Sequence, residues 1–310
     1  MKSAQQDSAI SVLADIKKRY VHDRSVFIPG RQMKELLTFL GASPEDVEKL
    51  RTASESLKDD PTLPFRKTQN GRFCLDSGSR RVSRLESQPF VLSSEEDFVR
   101  HDSGELRRFH EIQNDLALNP ALHALFALKF LLIHGMDTVH RPLLAYDSAQ
   151  WICTLFNIRT TTDVSLLGEP ALEGVHSDGV DHTMTTFLGC SNMTDDSATT
   201  FIHDMREKNA VRWNETSPEL VVGTARHGDF LDTLLLVDHE RKHSVSPVYT
   251  IDPDQPADRD MLIFFTRRPA LKGHVSYPYD SMTAHRSLPM SADLPLLDLD
   301  SEREHVPVGS

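Results

Sequence analysis

The chain has 310 residues, of which 39% are hydrophobic and 26% are charged, a composition typical of a folded globular protein rather than a disordered chain. Its net charge of -12, with 34 basic and 46 acidic residues and no compensating basic stripe, argues against a nucleic-acid-binding surface. The most apolar stretch, residues 121–136, is shorter than the about 20 residues of a membrane span and contains Lys129. A core helix is therefore the better prediction there.

The cysteine pattern and the N-terminus bear on location. Cys74, Cys153 and Cys190 are widely spaced and form no CxxC pair, so neither a disulfide framework nor a thiolate zinc site is indicated. We expect buried, reduced thiols. The amphipathic N-terminus lacks the continuous apolar run of a secretory signal. Together these features predict a cytoplasmic protein that does not bind membranes.

The first half of the chain is predicted to be mostly helix and loop. A short strand is expected over residues 25–30, where a Pro-Gly pair ends it, and residues 59–90 are loop-rich and unusually basic. The apolar spacing and the helix-start signals predict helices over residues 7–20, 30–41, 43–57, 93–118 and 120–135. This helical half could also cover a subunit interface, so a homodimer stays open.

From Trp151 onward the pattern changes to short segments rich in β-branched and aromatic residues, separated by turn formers. A helical half followed by a run of strands predicts an α+β protein with an antiparallel sandwich or barrel. The predicted strands cover residues 151–162, 182–192, 198–205, 229–239, 244–251 and 259–268.

We expect one domain over residues 1–290, with a helical and loop part at 1–150 and a β core at 151–270. Residues 291–310 contain five acidic residues and one arginine, a net charge of -4, and are predicted to form a flexible acidic tail.

A candidate metal site lies in the segment EGVHSDGVDHTM, residues 173–184. His176 and Asp178 are two residues apart, so an extended backbone would direct both side chains to one face. Flanking glycines would let both ligands bend toward a common point. His243, at the start of a later predicted strand, is the candidate third ligand. Two histidines and one carboxylate that leave other positions open form the ligand set of non-haem Fe(II) oxygenases.

An arginine follows this third histidine. Residues 249–258 carry two prolines and three aspartates, a strong turn signal, so the next strand should fold back beside that of His243. Arg259 would open this returning strand, with its guanidinium available to hold a carboxylate by two hydrogen bonds. Arg267 and Arg268 are alternatives for the same role.

The segments LEGVHSDGVDH, DTLLLVDHERKHSVSPV and RDMLIFFTR resemble those of the 2-oxoglutarate/Fe(II)-dependent dioxygenases. The resemblance spans residues 78–268 and is greatest to the subgroup of bacterial isoleucine 4-hydroxylase, which acts on free amino acids. It implies a double-stranded β-helix with the helical half packed on it, Fe(II) held by His176, Asp178 and His243, and the C5 carboxylate of 2-oxoglutarate held by Arg259. One departure, NMTDDSATT in place of a Gly-Gly turn, leaves the loop over the site undefined.

The resemblance also implies a reaction. 2-Oxoglutarate and O2 would be converted to succinate and CO2 while an aliphatic C–H bond of a free or modified amino acid is oxidised, most simply by hydroxylation. Desaturation or ring closure would belong to the same class. Two further hypotheses are a metal-dependent hydrolase or isomerase on a cupin-like barrel, and a non-catalytic β-sandwich interaction module.

Three arginines are candidates for binding the substrate carboxylate. Arg81 and Arg84, in a basic cluster with Arg80, suit bidentate recognition, and Arg159 lies in a predicted strand before the metal motif. The arginines of the cluster could equally form a solvated basic loop that pairs with nearby acids. Arg159 is the better candidate because its strand-like neighbours are expected to be half buried, although it could serve only a structural ion pair.

Other polar residues near the motif have weaker claims. Asp181 and His182 could orient a ligand imidazole, although such residues are more often ordinary strand positions. A second His-x-Asp triplet, His227 with Asp229, could bind a metal with His274 as its third ligand.

Overall fold

The structure, a computed structural model, describes residues 2–299 of the chain. Its α-helices are α1 (Lys2–Asp23), α2 (Gly30–Phe39), α3 (Pro44–Lys49), α4 (Asn114–Ala117) and α5 (Pro120–Ile133). Its strands are β1 (Ser25–Ile28), β2 (Lys58–Asp59), β3 (Arg66–Asp76), β4 (Arg81–Leu85), β5 (His110–Glu111), β6 (Gln150–Thr162), β7 (His182–Ser191), β8 (Thr200–His203), β9 (Val221–Ala225), β10 (Thr233–Val237), β11 (Lys242–Val245), β12 (Ala257–Arg267) and β13 (Ser291–Asp293).

Local sequence signals account for several helix starts. The Ser43 hydroxyl accepts a hydrogen bond from the Asp46 backbone N–H, the Asp46 carboxylate accepts one from the Ser43 N–H, and Pro44 occupies the first helical turn of α3. At α5, the Asn119 side chain accepts a hydrogen bond from the Ala121 N–H at 2.8 Å. These caps satisfy backbone donors that a helix start leaves unpaired.

The strands form two sheets, as the prediction of an α+β fold with a double-stranded β-helix requires. The large sheet has the order β1-β10-β7-β12-β6-β3-β4-β13, with β2 and β5 also paired to β3, and the small sheet has the order β11-β8-β9. All pairs are antiparallel except β3 with β5. A cavity is lined by strands of both sheets, and the functional side chains project into it.

The helical layer covers the other face of the large sheet. Leu13 and Ile16 of α1, Met33 of α2 and almost every residue of α5 join one core with Leu262 and Phe264 of the sheet. Helix α5 is buried on nearly all sides, which explains its predominantly apolar sequence. Among residues 2–299, no helix is both long and apolar enough to cross a membrane.

The prediction of loop over residues 59–90 was wrong in its main part. Strand β3 pairs with β4 and β6 along its length and is buried from Thr68 to Leu75. Its sequence RKTQNGRFCLD hides this position, because Gln-Asn-Gly is typical of a turn and the polar residues break any alternation. A strand enclosed by neighbours on both sides takes its conformation from sheet pairing rather than from local propensity.

The predicted helix over residues 93–118 was also wrong. The structure has a single 3-10 turn at Ser94–Glu96, ended by Asp97 in the left-handed region at φ 65°, and α4 only at the end. Between them the chain is irregular apart from the short strand β5, and it buries charged side chains, among them Asp102 and Arg107. This segment is held by tertiary contacts that helix propensity does not predict.

Two further expectations need correction. Strand β12 does not lie beside β11, because the 249–258 turn carries the chain into the large sheet, where β12 pairs with β6 and β7. Residues 291–293 pair with β4, and Leu294 and Leu299 are buried, so this part of the predicted flexible tail is packed against the body. Residues 300–310 lie outside the described part.

Candidate active site

Two glycines place the first two candidate ligands. Gly174 has φ 76° and Gly179 has φ 69°, a conformation that favours glycine, and a Cβ on Gly174 would lie 2.4 Å from the Val211 carbonyl oxygen. Between them His176 pairs with His243 as an antiparallel bridge, in which each backbone N–H donates to the other's carbonyl at 3.0 Å. This bridge joins the metal-motif segment to strand β11.

The three predicted metal ligands converge. His176 Nε2 lies 3.3 Å from one Asp178 oxygen, and His243 Nε2 lies 3.6 Å from the other. One potential ligand atom from each residue falls within 4.8 Å of the other two, and all three residues are buried. The described residues contain no second group of this kind, so the spatial condition for a shared cation is met at one place.

Hydrogen bonds fix the orientation of these side chains. His176 Nδ1 lies 2.8 Å from the Gly174 carbonyl oxygen, so Nδ1 carries the proton that is donated there and Nε2 faces Asp178. Thr183 Oγ1 donates to the Asp178 carboxylate at 2.9 Å. The ligands are therefore held in place before any metal binds.

The electrostatics of the group suit a divalent cation. Burial alone would lower the pKa of His176, but the Glu173 and Asp178 carboxylates raise it to about 9. Burial, and then the adjacent charge of His176, lowers the pKa of His243 to about 4. Burial raises the Asp178 pKa, but the two histidines outweigh it and leave that pKa low. A metal that displaced the proton of His176 would meet two imidazoles and one carboxylate.

Asp238, which sequence reasoning missed, lies directly behind the group. Its carboxylate accepts a hydrogen bond from the Asp178 backbone N–H at 2.6 Å, and its other oxygen lies 3.9 Å from His243 Nδ1. That oxygen and His243 Nδ1 are both buried, and no described residue forms a hydrogen bond with either atom. Burial, followed by the charge of Asp178, holds the Asp238 pKa well above its usual value. The sequence signal for Asp238 is its position as an acidic residue directly after an apolar strand, in the segment LLLVD.

The residues that were predicted to orient a ligand do not touch one. His182 Nδ1 lies 2.9 Å from the Tyr20 hydroxyl on the helix side of the sheet. Asp181 accepts hydrogen bonds from the Tyr146 hydroxyl and the Arg268 backbone N–H. Both serve the packing between the sheet and its surroundings.

The rival His-x-Asp triplet does not assemble. His227 Nε2 lies 3.1 Å from Thr185 Oγ1, whereas His274 pairs with Glu96 at 3.2 Å. Asp229 donates its backbone N–H to Asp232 in a turn. The three side chains thus have separate partners.

The cavity of about 120 Å³ beside the ligand group is largely apolar with a few buried charges. Arg259 of β12 projects into it, and its Nε is buried without a hydrogen-bond partner in the described part of the chain. Burial, the largest effect, lowers its pKa to about 10, so the guanidinium remains charged at neutral pH. The apolar lining includes Phe90, Leu92, Phe98, Phe109, Phe156, Ile158, Leu234, Leu236, Val245, Met261, Ile263 and Phe265.

Three arginines were predicted to bind substrate, and among the described residues that line this cavity there is no Arg81, Arg84 or Arg159. Arg159 lies between Ile158 and Thr160, which do line the cavity, so strand alternation turns its side chain to the opposite face, where it pairs with Asp260 at 2.6 Å.

The other two arginines also have partners elsewhere. Arg81 is exposed and pairs with Asp293 at 3.3 Å. Arg84 is buried and donates to the Ile112 carbonyl at 2.6 Å. Strand β4, which carries both, lies toward the far edge of the large sheet from β7 and β12.

A different arginine, Arg107, lines the cavity. Its Nε and Nη2 are buried and receive no hydrogen-bond partner from the residues that the structure describes. Its guanidinium lies 5.3 Å from the Phe90 ring centroid and 5.5 Å from that of Phe98. Burial lowers its pKa to about 10. Its neighbour Arg108 is exposed, so the Arg-Arg pair in the sequence gives no sign of which residue faces inward.

The sequence pattern of the 2OG-Fe dioxygenases matches residues 51–265, about two thirds of the chain, and these residues include the three converging side chains. The chain belongs to the 2OG-Fe dioxygenase family. It is thus an enzyme of the class that uses Fe(II), 2-oxoglutarate and O2, which decides between the three hypotheses in favour of the oxygenase.

Individual relatives agree with this family. The bifunctional enzyme flvA of Aspergillus flavus is 43% identical over 286 residues, which cover 92% of this chain and 35% of flvA, so this chain spans about a third of that relative's length. The Fe(II)/(alpha)ketoglutarate-dependent dioxygenase TqaL is 45% identical, with a TM-score of 0.81 over 94% of this chain and 98% of TqaL.

A more distant structure, IDO from Bacillus thuringiensis, shares 14% identity with a TM-score of 0.63, and the match covers 83% of this chain and 99% of IDO. At this level of identity the match supports the fold of this dioxygenase alone.

Proposed function

We propose that this dioxygenase holds Fe(II) through His176, Asp178 and His243 and oxidises an aliphatic C–H bond of a free or modified amino acid, most simply by hydroxylation. The observation that carries the proposal is the convergence of three buried ligand atoms at the wall of an apolar cavity that also contains uncompensated guanidinium groups. The residue roles below are part of this proposal.

Arg259 is proposed to bind the C5 carboxylate of 2-oxoglutarate. Its guanidinium is buried, carries an unpartnered N–H and forms no ion pair with any described residue. An isolated buried charge is costly, and a carboxylate ligand offsets that cost with charge-assisted hydrogen bonds.

Arg107 is proposed to bind the carboxylate of the substrate. Two of its nitrogen atoms are buried and unpartnered, and no described carboxylate forms an ion pair with it. Phe98 connects it to the ligand group, because the Phe98 ring centroid lies 5.5 Å from the Arg107 guanidinium and 5.8 Å from the His176 ring centroid. A small carboxylic acid held by Arg107 therefore lies close to the metal ligands.

The remaining cavity wall suits an aliphatic chain. Phe90, Phe156 and Phe265 pack against one another, with ring centroids 4.9 to 6.1 Å apart. Such a wall binds apolar atoms and excludes water, while the few charged groups fix the orientation of the substrate.

The division of work follows from this arrangement. The bound iron supplies the oxidising chemistry, which couples conversion of 2-oxoglutarate to succinate and CO2 with oxidation of the C–H bond. The chain keeps the Asp178 carboxylate oriented through Thr183 and keeps His176 Nε2 directed inward through the Gly174 carbonyl. Arg107 and the aromatic wall determine which substrate binds.

We also propose a cytoplasmic location, which the free cysteines support.

The test is a succinate assay with Fe(II), ascorbate, 2-oxoglutarate and a panel of aliphatic amino acids, followed by mass spectrometry of the amino acid. We expect succinate formation that depends on one or more panel members, a product with one added oxygen, and loss of both in Asp178→Ala. An Arg107→Leu variant should raise the amino-acid KM, whereas Arg108→Leu should not. A product that has lost two hydrogens would indicate desaturation or ring closure. Absence of any amino-acid-dependent succinate would contradict the proposal.

A further inference from the structure

The side chain of Glu173 has an unusual position next to the ligand group. It is 6% exposed and lines the cavity, and its Oε1 lies 3.1 Å from His176 Nε2. Its Oε2 is buried and has no hydrogen-bond partner among residues 2–299. A buried carboxylate oxygen that lacks a donor indicates that a partner is supplied from elsewhere.

The nearest arginine does not supply that donor. Arg100 Nη1 lies 3.7 Å from Glu173 Oε2, beyond hydrogen-bond distance, and the Arg100 guanidinium already donates two hydrogen bonds to Asp102 at 2.6 and 2.7 Å. A metal held by His176 Nε2 also removes the proton that His176 could donate to Oε1. Neither oxygen of Glu173 then receives a hydrogen bond from the part of the chain that the structure describes.

We propose that Glu173 binds the protonated amino group of the substrate, so that the enzyme accepts amino acids with a free amine and rejects N-acylated or deaminated analogues. This inference rests on the proposed function and adds the residue that binds the amino group of the substrate. Glu173 and Arg107 line one cavity, and each has buried polar atoms without a hydrogen bond from the described residues. The Phe98 ring lies between them, because it contacts the His176 ring beside Glu173 and also the Arg107 guanidinium. An α-amino acid carries the two opposite charges on adjacent groups.

The test measures binding rather than turnover. The iron-loaded enzyme with saturating 2-oxoglutarate is titrated calorimetrically without O2, using L-leucine, L-isoleucine and L-valine as amine-bearing probes. Isocaproate and N-acetyl-L-leucine are the matched probes without a free amine. A hydrogen bond between charged groups is expected to change affinity by about 10- to 100-fold.

For the wild type we expect L-leucine to bind at least about 10-fold more tightly than isocaproate or N-acetyl-L-leucine. In Glu173→Gln, L-leucine should lose that advantage while isocaproate keeps its affinity, and the iron content and melting temperature should stay unchanged. Glu169→Gln is the matched control, because Glu169 pairs with Arg212 and does not line the cavity. It should bind all probes as the wild type does.

Other outcomes overturn the inference in distinguishable ways. Equal affinity of the wild type for L-leucine and isocaproate would refute the role of Glu173 and leave the proposed function standing. Loss of iron from Glu173→Gln would make Glu173 a residue of the metal site instead. If the wild type bound none of the amino acids or their analogues, the proposed function would fail together with this inference.

Discussion

The two faces of the large sheet bury charge in different ways. On the helix side, Leu235, Leu262 and Phe264 pack against α5, and Lys129 of that helix donates to the His182 and Phe264 carbonyls at 3.0 and 2.6 Å. On the cavity side, the same strands present Met261 and Ile263 beside Arg259, whose Nε has no partner.

The comparison shows how a structural charge differs from a binding charge in one protein. The ammonium of Lys129 is satisfied by backbone carbonyls, so it can be buried with no ligand. The guanidiniums of Arg107 and Arg259 and the carboxylate of Glu173 keep unpartnered atoms directed to the cavity. Buried polar groups that the fold leaves unsatisfied mark where a ligand is expected.

The largest effect is expected at Arg259. Arg259→Leu would leave the 2-oxoglutarate carboxylate unpaired in a buried site, a loss of about 4 kcal/mol or roughly 1,000-fold in affinity. Calorimetric titration of 2-oxoglutarate into the iron-loaded protein without O2 measures this. Arg267→Gln, at the opposite end of β12 and paired with Asp280, should bind 2-oxoglutarate as the wild type does. A larger loss of 2-oxoglutarate affinity in Arg267→Gln than in Arg259→Leu would indicate that the carboxylate binds at the Arg267 end of β12.

On the helix side, the effect is expected on stability. Burial lowers the pKa of Lys129 from 10.5 to about 8, so between these values the unfolded chain binds more protons than the folded chain. The contribution of Lys129 to the free energy of unfolding therefore rises with pH across that window, by about 3 kcal/mol. Lys129→Met lacks the ionisation and serves as the reference.

The measurement is urea unfolding of both proteins from pH 8 to pH 10.5. The free energy of unfolding of the wild type should increase relative to that of Lys129→Met as the pH rises. A constant difference would mean that the lysine keeps its ordinary pKa in the folded protein.

A smaller effect is expected from Asp238, which contacts the ligand group from behind. Asp238→Asn removes the carboxylate next to His243 Nδ1, and loss of such a partner typically lowers metal affinity about 10- to 100-fold. Competition with a metal chelator measures the iron affinity. Asp260→Asn, a buried carboxylate paired with Arg159 on the opposite face, is the control and should keep wild-type affinity. Equal affinities in all three proteins would exclude a positioning role for Asp238.

The smallest effect is expected at Arg159. Because its side chain faces away from the cavity and is 27% exposed, Arg159→Gln should change the amino-acid KM by less than about twofold and the free energy of unfolding by at most about 1 kcal/mol. Steady-state kinetics and urea unfolding test this together. A tenfold increase in the amino-acid KM would indicate that Arg159 binds the substrate after all.

The difference between the faces also explains what the sequence could predict. The three ligand residues belong to a short motif and one later strand, so the sequence predicts His176, Asp178 and His243 as one group. The strands from β6 onward have β-branched, aromatic sequences that predict their conformation locally. The prediction of the ligand group and the prediction of these strands both depend on residues close in sequence or on a recognisable pattern.

The rest depends on contacts between distant segments. Arg107 reaches the cavity through an irregular segment whose sequence predicts a helix, and β3 is a strand because β4 and β6 enclose it. The direction of Arg159 required the register of β6, since a shift of one residue exchanges the two faces. No local pattern contains that information.

The most direct test is the anomalous diffraction of a crystal grown with Fe(II) without O2. We predict one iron ion with His176 Nε2, an Asp178 oxygen and His243 Nε2 as ligands, and open positions toward the cavity that contains Arg259. An iron ion bound elsewhere, or one that His243 does not contact, would contradict the proposed active site.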